Sequence, residues 1–145
     1  MLRGISPLLS PDILKVLAQM GHQDVLVLGD ANFPAERYAK HGAIVLRADG
    51  VGAAELLDAI LPLFPLDDYT SQPVRLMEVP ADQQVETPIW DTYKEIVARH
   101  DDRGANAVGT LERSAYYDAC KDLFAVIQTG ETALYANIML TKGIV

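Results

Sequence analysis

Two short runs, VLVLG at 25–29 and FAVIQT at 124–129, constrain this chain most, because each is apolar almost without interruption. A strand with one wet face alternates apolar and polar residues, whereas a continuous run marks a strand covered on both faces, as in parallel or mixed sheets. Helices must therefore supply the cover. SPDILKVLAQMG at 10–21 reads as the first of them: Ser10 caps it and Pro11 suits its first turn. Ile13, Leu14, Leu17 and Met20 form its stripe, and Gly21 ends it. His22 then falls in the exit loop before the first strand, and Asp30 follows that strand's end.

The alternation continues. NFPAERYAKHG predicts a short helix, AIVLR at 43–47 a strand, and VGAAELLDAILPLF an amphipathic helix. VRLMEV at 74–79 predicts a third strand, and TPIWDTYKEIVARH a helix with Ile89, Tyr93, Ile96 and Val97 at helical spacing. A strand at about 107–112, a helix over RSAYYDACKDL and a last strand in NIMLTKG complete the order. The expected architecture is α/β: layered α/β/α, with a mixed sheet of about six strands and four or five helices. The stretch from Ala81 to Thr87 and RHDDRGAN at 99–106 read as loops.

With 145 residues the chain fits one domain, 1–145, built on a single core. A net charge of -8 with no cluster of Lys and Arg argues against a nucleic-acid partner. The single cysteine, Cys120, has no internal disulfide partner, and the N-terminus lacks a secretory pattern, so a cytoplasmic location is expected. No apolar run reaches the ~18 residues of a membrane span; the longest is broken by Pro62 and Pro65.

In sheets of this class ligands bind beyond the carboxyl ends of strands, which singles out Asp30. Its alternative role is an Asx-turn or a helix cap. A five-residue strand spans ~17 Å. His22 and Asp30, at opposite ends of such a strand, can share a ligand only if loops fold back or a neighbouring subunit supplies one of them. His22, Asp30, His41 and His100 show no metal-ligand spacing, so no metal is expected. Gly50-x-Gly52 is a partial dinucleotide fingerprint, but Glu55 stands where a small residue is needed, and a plain strand-to-helix turn is the better reading. Without a G-x-S-x-G or a nearby His, Cys120 reads as a buried, inert thiol. What remains is His22, Asp30, Arg113, Tyr116, Tyr117, Tyr135 and Asn137, the donors and acceptors suited to holding several hydroxyls at once.

Several separated blocks carry a resemblance: ISPLLSPDILKVLAQMGHQD, GDANFP, VLRADG, ILPLFPLDDY and FAVIQTGETALYANIMLTKG. In this order they resemble the L-fucose mutarotase and D-ribose pyranase family. The similarity is strongest over 4–69 and 111–143 and thin between Pro80 and Asn106. It implies an isomerase that interconverts aldose anomers without a cofactor, with His22 as proton donor and Asp30 as sugar ligand. It also implies that Tyr135, Ala136 and Asn137 contact the sugar. Tyr135 stands either as a proton relay or as a hydroxyl ligand. Arg113 matches the fucose type, where ribose-type members have His; Asn32 and Ala136 depart from the fucose pattern. Ring-shaped decamers with sites between subunits are implied as well. The alternatives are a D-ribose pyranase, a non-catalytic sugar-binding accessory of a transport system and, from the Gly50 turn alone, a nucleotide-binding domain.

Overall fold

The two apolar runs pair with each other at the centre of the sheet. In the computed structural model, which describes residues 1–145, the strands are β1 (Val25–Gly29), β2 (Ile44–Ala48), β3 (Val74–Met77), β4 (Val108–Leu111), β5 (Ala125–Thr129) and β6 (Ile138–Thr141). Their order is β2-β5-β1-β6-β3-β4. β1 lies parallel to β5 with Val27 opposite Val126, and on its other side antiparallel to β6 with Val27 opposite Met139. β2 is parallel to β5, β3 is antiparallel to β6 and parallel to β4, so β6 alone runs against the rest.

The helices are α1 (Pro11–Gln19), α2 (Ala35–Ala39), α3 (Ala53–Ile60), α4 (Pro88–His100) and α5 (Arg113–Ala119). Strand side chains alternate between two covered faces. Leu26, Leu28, Ile127, Ile138, Leu140 and Leu76 pack with α1, α3 and α4 on one side. Val27, Val126, Met139 and Met77 pack with α2 and α5 on the other. The three-layer α/β/α architecture follows from that division.

Local chemistry explains the element ends. Ser10 Oγ accepts the Ile13 amide at 3.2 Å and caps α1. At its other end, Lys142 Nζ donates to the carbonyls of Leu17 and Met20 at 2.8 and 2.6 Å, a cation on the negative pole of the helix. The helix expected over 51–64 stops at Ile60, and Leu61–Leu63 tighten into a 3-10 turn, because Pro62 has no amide to extend the ladder. The helix expected over 113–123 likewise ends at Ala119, with a 3-10 turn over Cys120–Asp122. β3 ends at Met77, two residues before the expected limit, although the Glu78 amide still donates to the Leu111 carbonyl at 2.8 Å. RHDDRGAN is only partly loop: α4 runs through His100, and Gly104–Ala107 form a 3-10 turn opened by Gly104 at φ +58°. No helix is long and apolar enough to cross a membrane.

Candidate active site

Because β6 runs against β1, its first residues lie beside the last residues of β1. The Asp30 amide donates to Asn137 Oδ1 at 2.7 Å, joining residues far apart in the chain. The Asp30 carbonyl accepts from the buried Gln128 side chain at the end of β5. Asp30 Oδ1 accepts the Asn32 amide at 2.9 Å, so the aspartate makes an Asx-turn while facing the sheet end, and it does not cap α2. Gly29 permits this turn: a Cβ there would meet Phe33 Cβ at 2.7 Å. Asp30 is 8% exposed. Burial pushes its carboxyl above the ordinary range against the backbone amides of Asn32 and Phe33, and Glu131 pushes the same way.

Tyr135 and Ala136 precede Asn137 at the same sheet end. Tyr135 has φ +54°, a left-handed backbone that costs a non-glycine residue about 1 kcal/mol or more. Two side chains of α4 hold this segment: Trp90 Nε1 donates to the Tyr135 carbonyl at 2.8 Å, and the Tyr93 hydroxyl to the Ala136 carbonyl at 2.7 Å. The Tyr135 hydroxyl donates to Gln83 Oε1. Ala136 is fully buried, side chain and backbone alike. Arg113, the first residue of α5, stands at the same end beyond β4. Its guanidinium carbon lies 5.9 Å from the Tyr117 ring centre, and it makes no ion pair within the chain. Tyr116 points into the core, where its hydroxyl has no partner. It is a packing residue.

His22 lies at the opposite end of the sheet. Its loop is fixed by Gln23, at φ +67°, whose amide donates to the Lys142 carbonyl at 2.8 Å, and by the Gly21 amide on Asp24 Oδ2 at 2.7 Å. His22 Nε2 is 2.9 Å from Oδ1 of Asp67, a fully buried carboxylate. Oδ1 also accepts the Tyr69 amide at 3.2 Å, and Oδ2 the Thr70 hydroxyl at 2.6 Å. Burial alone would raise the Asp67 carboxyl; the Thr70, His22 and Tyr69 donors outweigh it and hold the group below its ordinary range. An ionised carboxylate only accepts, so Nε2 carries a hydrogen and Nδ1 is left as the free ring nitrogen. The Tyr69 ring lies 5.1 Å from the imidazole.

Asp67 is the site residue that sequence reasoning misses. In FPLDDYT at 64–70 two adjacent aspartates look like a solvated turn, and the partner is 45 positions away. The Asp-x-x-Thr spacing, which lets Asp67 accept from its own loop, is the one local signal of a buried turn.

The remaining candidates are structural. Cys120 is buried, and burial pushes its thiol up to about 12. His100 pairs with Asp58 at 2.9 Å, and Gly50 and Gly52 form the turn into α3. No three His, Cys, Asp or Glu side chains converge on one point.

Residues 3–145 match the RbsD / FucU transport protein family. Human fucose mutarotase is 45% identical over 146 aligned residues, covering 99% of this chain and 94% of that protein. The crystal structure of FucU from Bifidobacterium longum superposes with a TM-score of 0.95 at 51% identity, covering 99% of both chains. The fucose mutarotase from Streptococcus pneumoniae, solved in complex with L-fucose, superposes at 0.90 with 41% identity and 99% coverage of each chain. With nearly its whole length matched in sequence and in fold, the chain belongs to the RbsD / FucU transport protein family.

Proposed function

We propose that this protein is a cofactor-independent isomerase that interconverts the α and β anomers of L-fucose. The observation that carries the reading is the His22–Asp67 pair, a half-exposed imidazole held by a buried carboxylate, in a chain similar to proteins named fucose mutarotase.

The chemistry needs little more than positioned protons. Opening the hemiacetal breaks the bond between the anomeric carbon and the ring oxygen; that oxygen gains a proton and the anomeric hydroxyl loses one, giving the open-chain aldehyde. Rotation about the first carbon–carbon bond and reclosure give the other anomer. His22 is the catalytic residue: with Nε2–H fixed on Asp67, Nδ1 gives and takes the proton. Positioned proton transfer contributes ~10²–10⁴-fold, enough for a reaction that is already measurable in water. In this reading Asp30, Asn137 and Arg113, with the Tyr135–Ala136 segment, bind the hydroxyls, and the Tyr135 hydroxyl either holds a sugar hydroxyl or relays the second proton.

His22 lies at one end of β1 and Asp30 at the other, ~17 Å apart for a strand of this length. We infer that a ring-shaped homodecamer brings the His22 end of one subunit to the Asp30 end of its neighbour, so that each complete site is shared. The reducing cytoplasm is the proposed compartment, supported by a lone thiol that is buried.

Magnetisation-exchange NMR on L-fucose and D-ribose tests the reaction. Wild type accelerates anomer exchange of L-fucose beyond any effect on D-ribose, whereas His22→Ala loses at least 100-fold of that rate while still binding the sugar. Binding without acceleration by wild type would make the protein a sugar carrier instead.

A further inference from the structure

The loop that carries Asp67 is itself held from outside. Arg103, in the short segment after α4, lays its guanidinium against it: Nη1 donates to the Asp67 carbonyl at 3.0 Å and to the Thr70 carbonyl at 3.1 Å. The other edge of the same group is fixed by Asp101, with Nε to Oδ1 at 2.9 Å and Nη2 to Oδ2 at 2.8 Å. Asp101 is in turn aimed by the Arg103 amide at 2.9 Å. Asp68 stands 3.7 Å from Nη2, at the exposed rim.

This arrangement uses the planar fork of arginine fully. One edge takes a carboxylate in two parallel bonds, and the remaining nitrogen bridges two carbonyls. A lysine, with its donors on one atom, cannot span both. The two carbonyls close the turn 67–70, and two of the three donors to the Asp67 carboxylate, the Tyr69 amide and the Thr70 hydroxyl, belong to that turn. The third donor is His22. The carboxylate is therefore oriented by a turn whose shape Arg103 fixes.

We propose that Arg103, braced by Asp101, is a positioning residue that keeps Asp67 aligned on His22 Nε2 and so fixes the imidazole in one tautomer with Nδ1 free. Nothing else tethers the ring by a hydrogen bond, and with 38% of its side chain exposed it turns and exchanges tautomers once the carboxylate drifts. The kinetic consequence rests on His22 being the proton-transfer group; the tautomer consequence does not.

Long-range proton–nitrogen NMR on ¹⁵N-histidine-labelled protein, read above the imidazole's pKa, follows the tautomer directly. Wild type shows His22 as the Nε2–H form. Arg103→Gln and Asp101→Asn, both changes at partly buried side chains, show averaged nitrogen shifts; for exchange on L-fucose, kcat falls about 10-fold with KM within about twofold. A merely structural staple would lower the melting temperature and leave both the tautomer and kcat of the folded variants unchanged, and that result overturns the proposal. So does a wild-type His22 in the Nδ1–H form. If wild type shows no exchange on L-fucose yet both variants lose the Nε2–H form, the positioning role stands and the assignment of the reaction fails.

Discussion

Arg113 is the residue proposed to read the sugar. Its guanidinium is unpaired within the chain and flanks Tyr117, so a structural salt bridge is not its role here. A free fork of donors bridges two adjacent hydroxyls, which the shorter imidazole cannot do. Arg113→His is expected to lower kcat/KM for L-fucose by about 1–3 kcal/mol more than for D-ribose, measured by exchange rates on the folded variant. Equal proportional losses would mean that Arg113 does not read the substrate. At the same scale, the departure at Ala136 is fully buried, whereas Asn32 is exposed beside Asp30, to which its amide rather than its side chain is bonded.

Among the elements, α4 does most for the site without presenting a ligand group itself. Trp90 and Tyr93, three residues apart, share one face of the helix and hold consecutive carbonyls of the left-handed Tyr135 segment. Tyr93 is fully buried, so removing its hydroxyl leaves the Ala136 carbonyl without its partner. Tyr93→Phe is expected to destabilise the fold by about 1–3 kcal/mol in urea unfolding and to raise KM for L-fucose while kcat changes less. Wild-type KM in that variant would show that Tyr135 holds its conformation without α4. The 3-10 turn beyond the same helix follows directly on Arg103, so α4 and its exit serve both ends of the sheet.

For the whole molecule the decisive fact is that one chain separates the His22–Asp67 pair from Asp30 and Asn137 by the length of β1. Closed rings with head-to-tail interfaces bring opposite ends of neighbouring subunits together. Mixing two inactive variants checks this. In co-expressed His22→Ala and Asp30→Asn, random assembly of shared sites restores roughly a quarter of the wild-type sites. Sites contained within one subunit would restore none, and an active monomer in sedimentation would equally exclude sharing.

The elements and their layering are legible in the chain itself. Two runs apolar on both faces require a doubly covered sheet, and the periodicity of the intervening segments supplies the helices; their ends differ, where Pro62 or a 3-10 turn shortens two of them and α2 keeps only Ala35–Ala39. Equally legible is that His22 and Asp30 flank one strand, and hence that they lie apart. What each of them meets is set by the tertiary fold. Strand order does not follow from local pattern, and only the antiparallel placement of β6 beside β1 sets Asn137 on Asp30. Asp67 comes to His22 because its loop pairs with the far end of β6, where the Asp67 amide donates to the Thr141 carbonyl at 3.1 Å. Hydrogen bonds between residues 45 or 107 positions apart leave no periodic trace in the chain, because their partners are chosen by packing rather than by spacing.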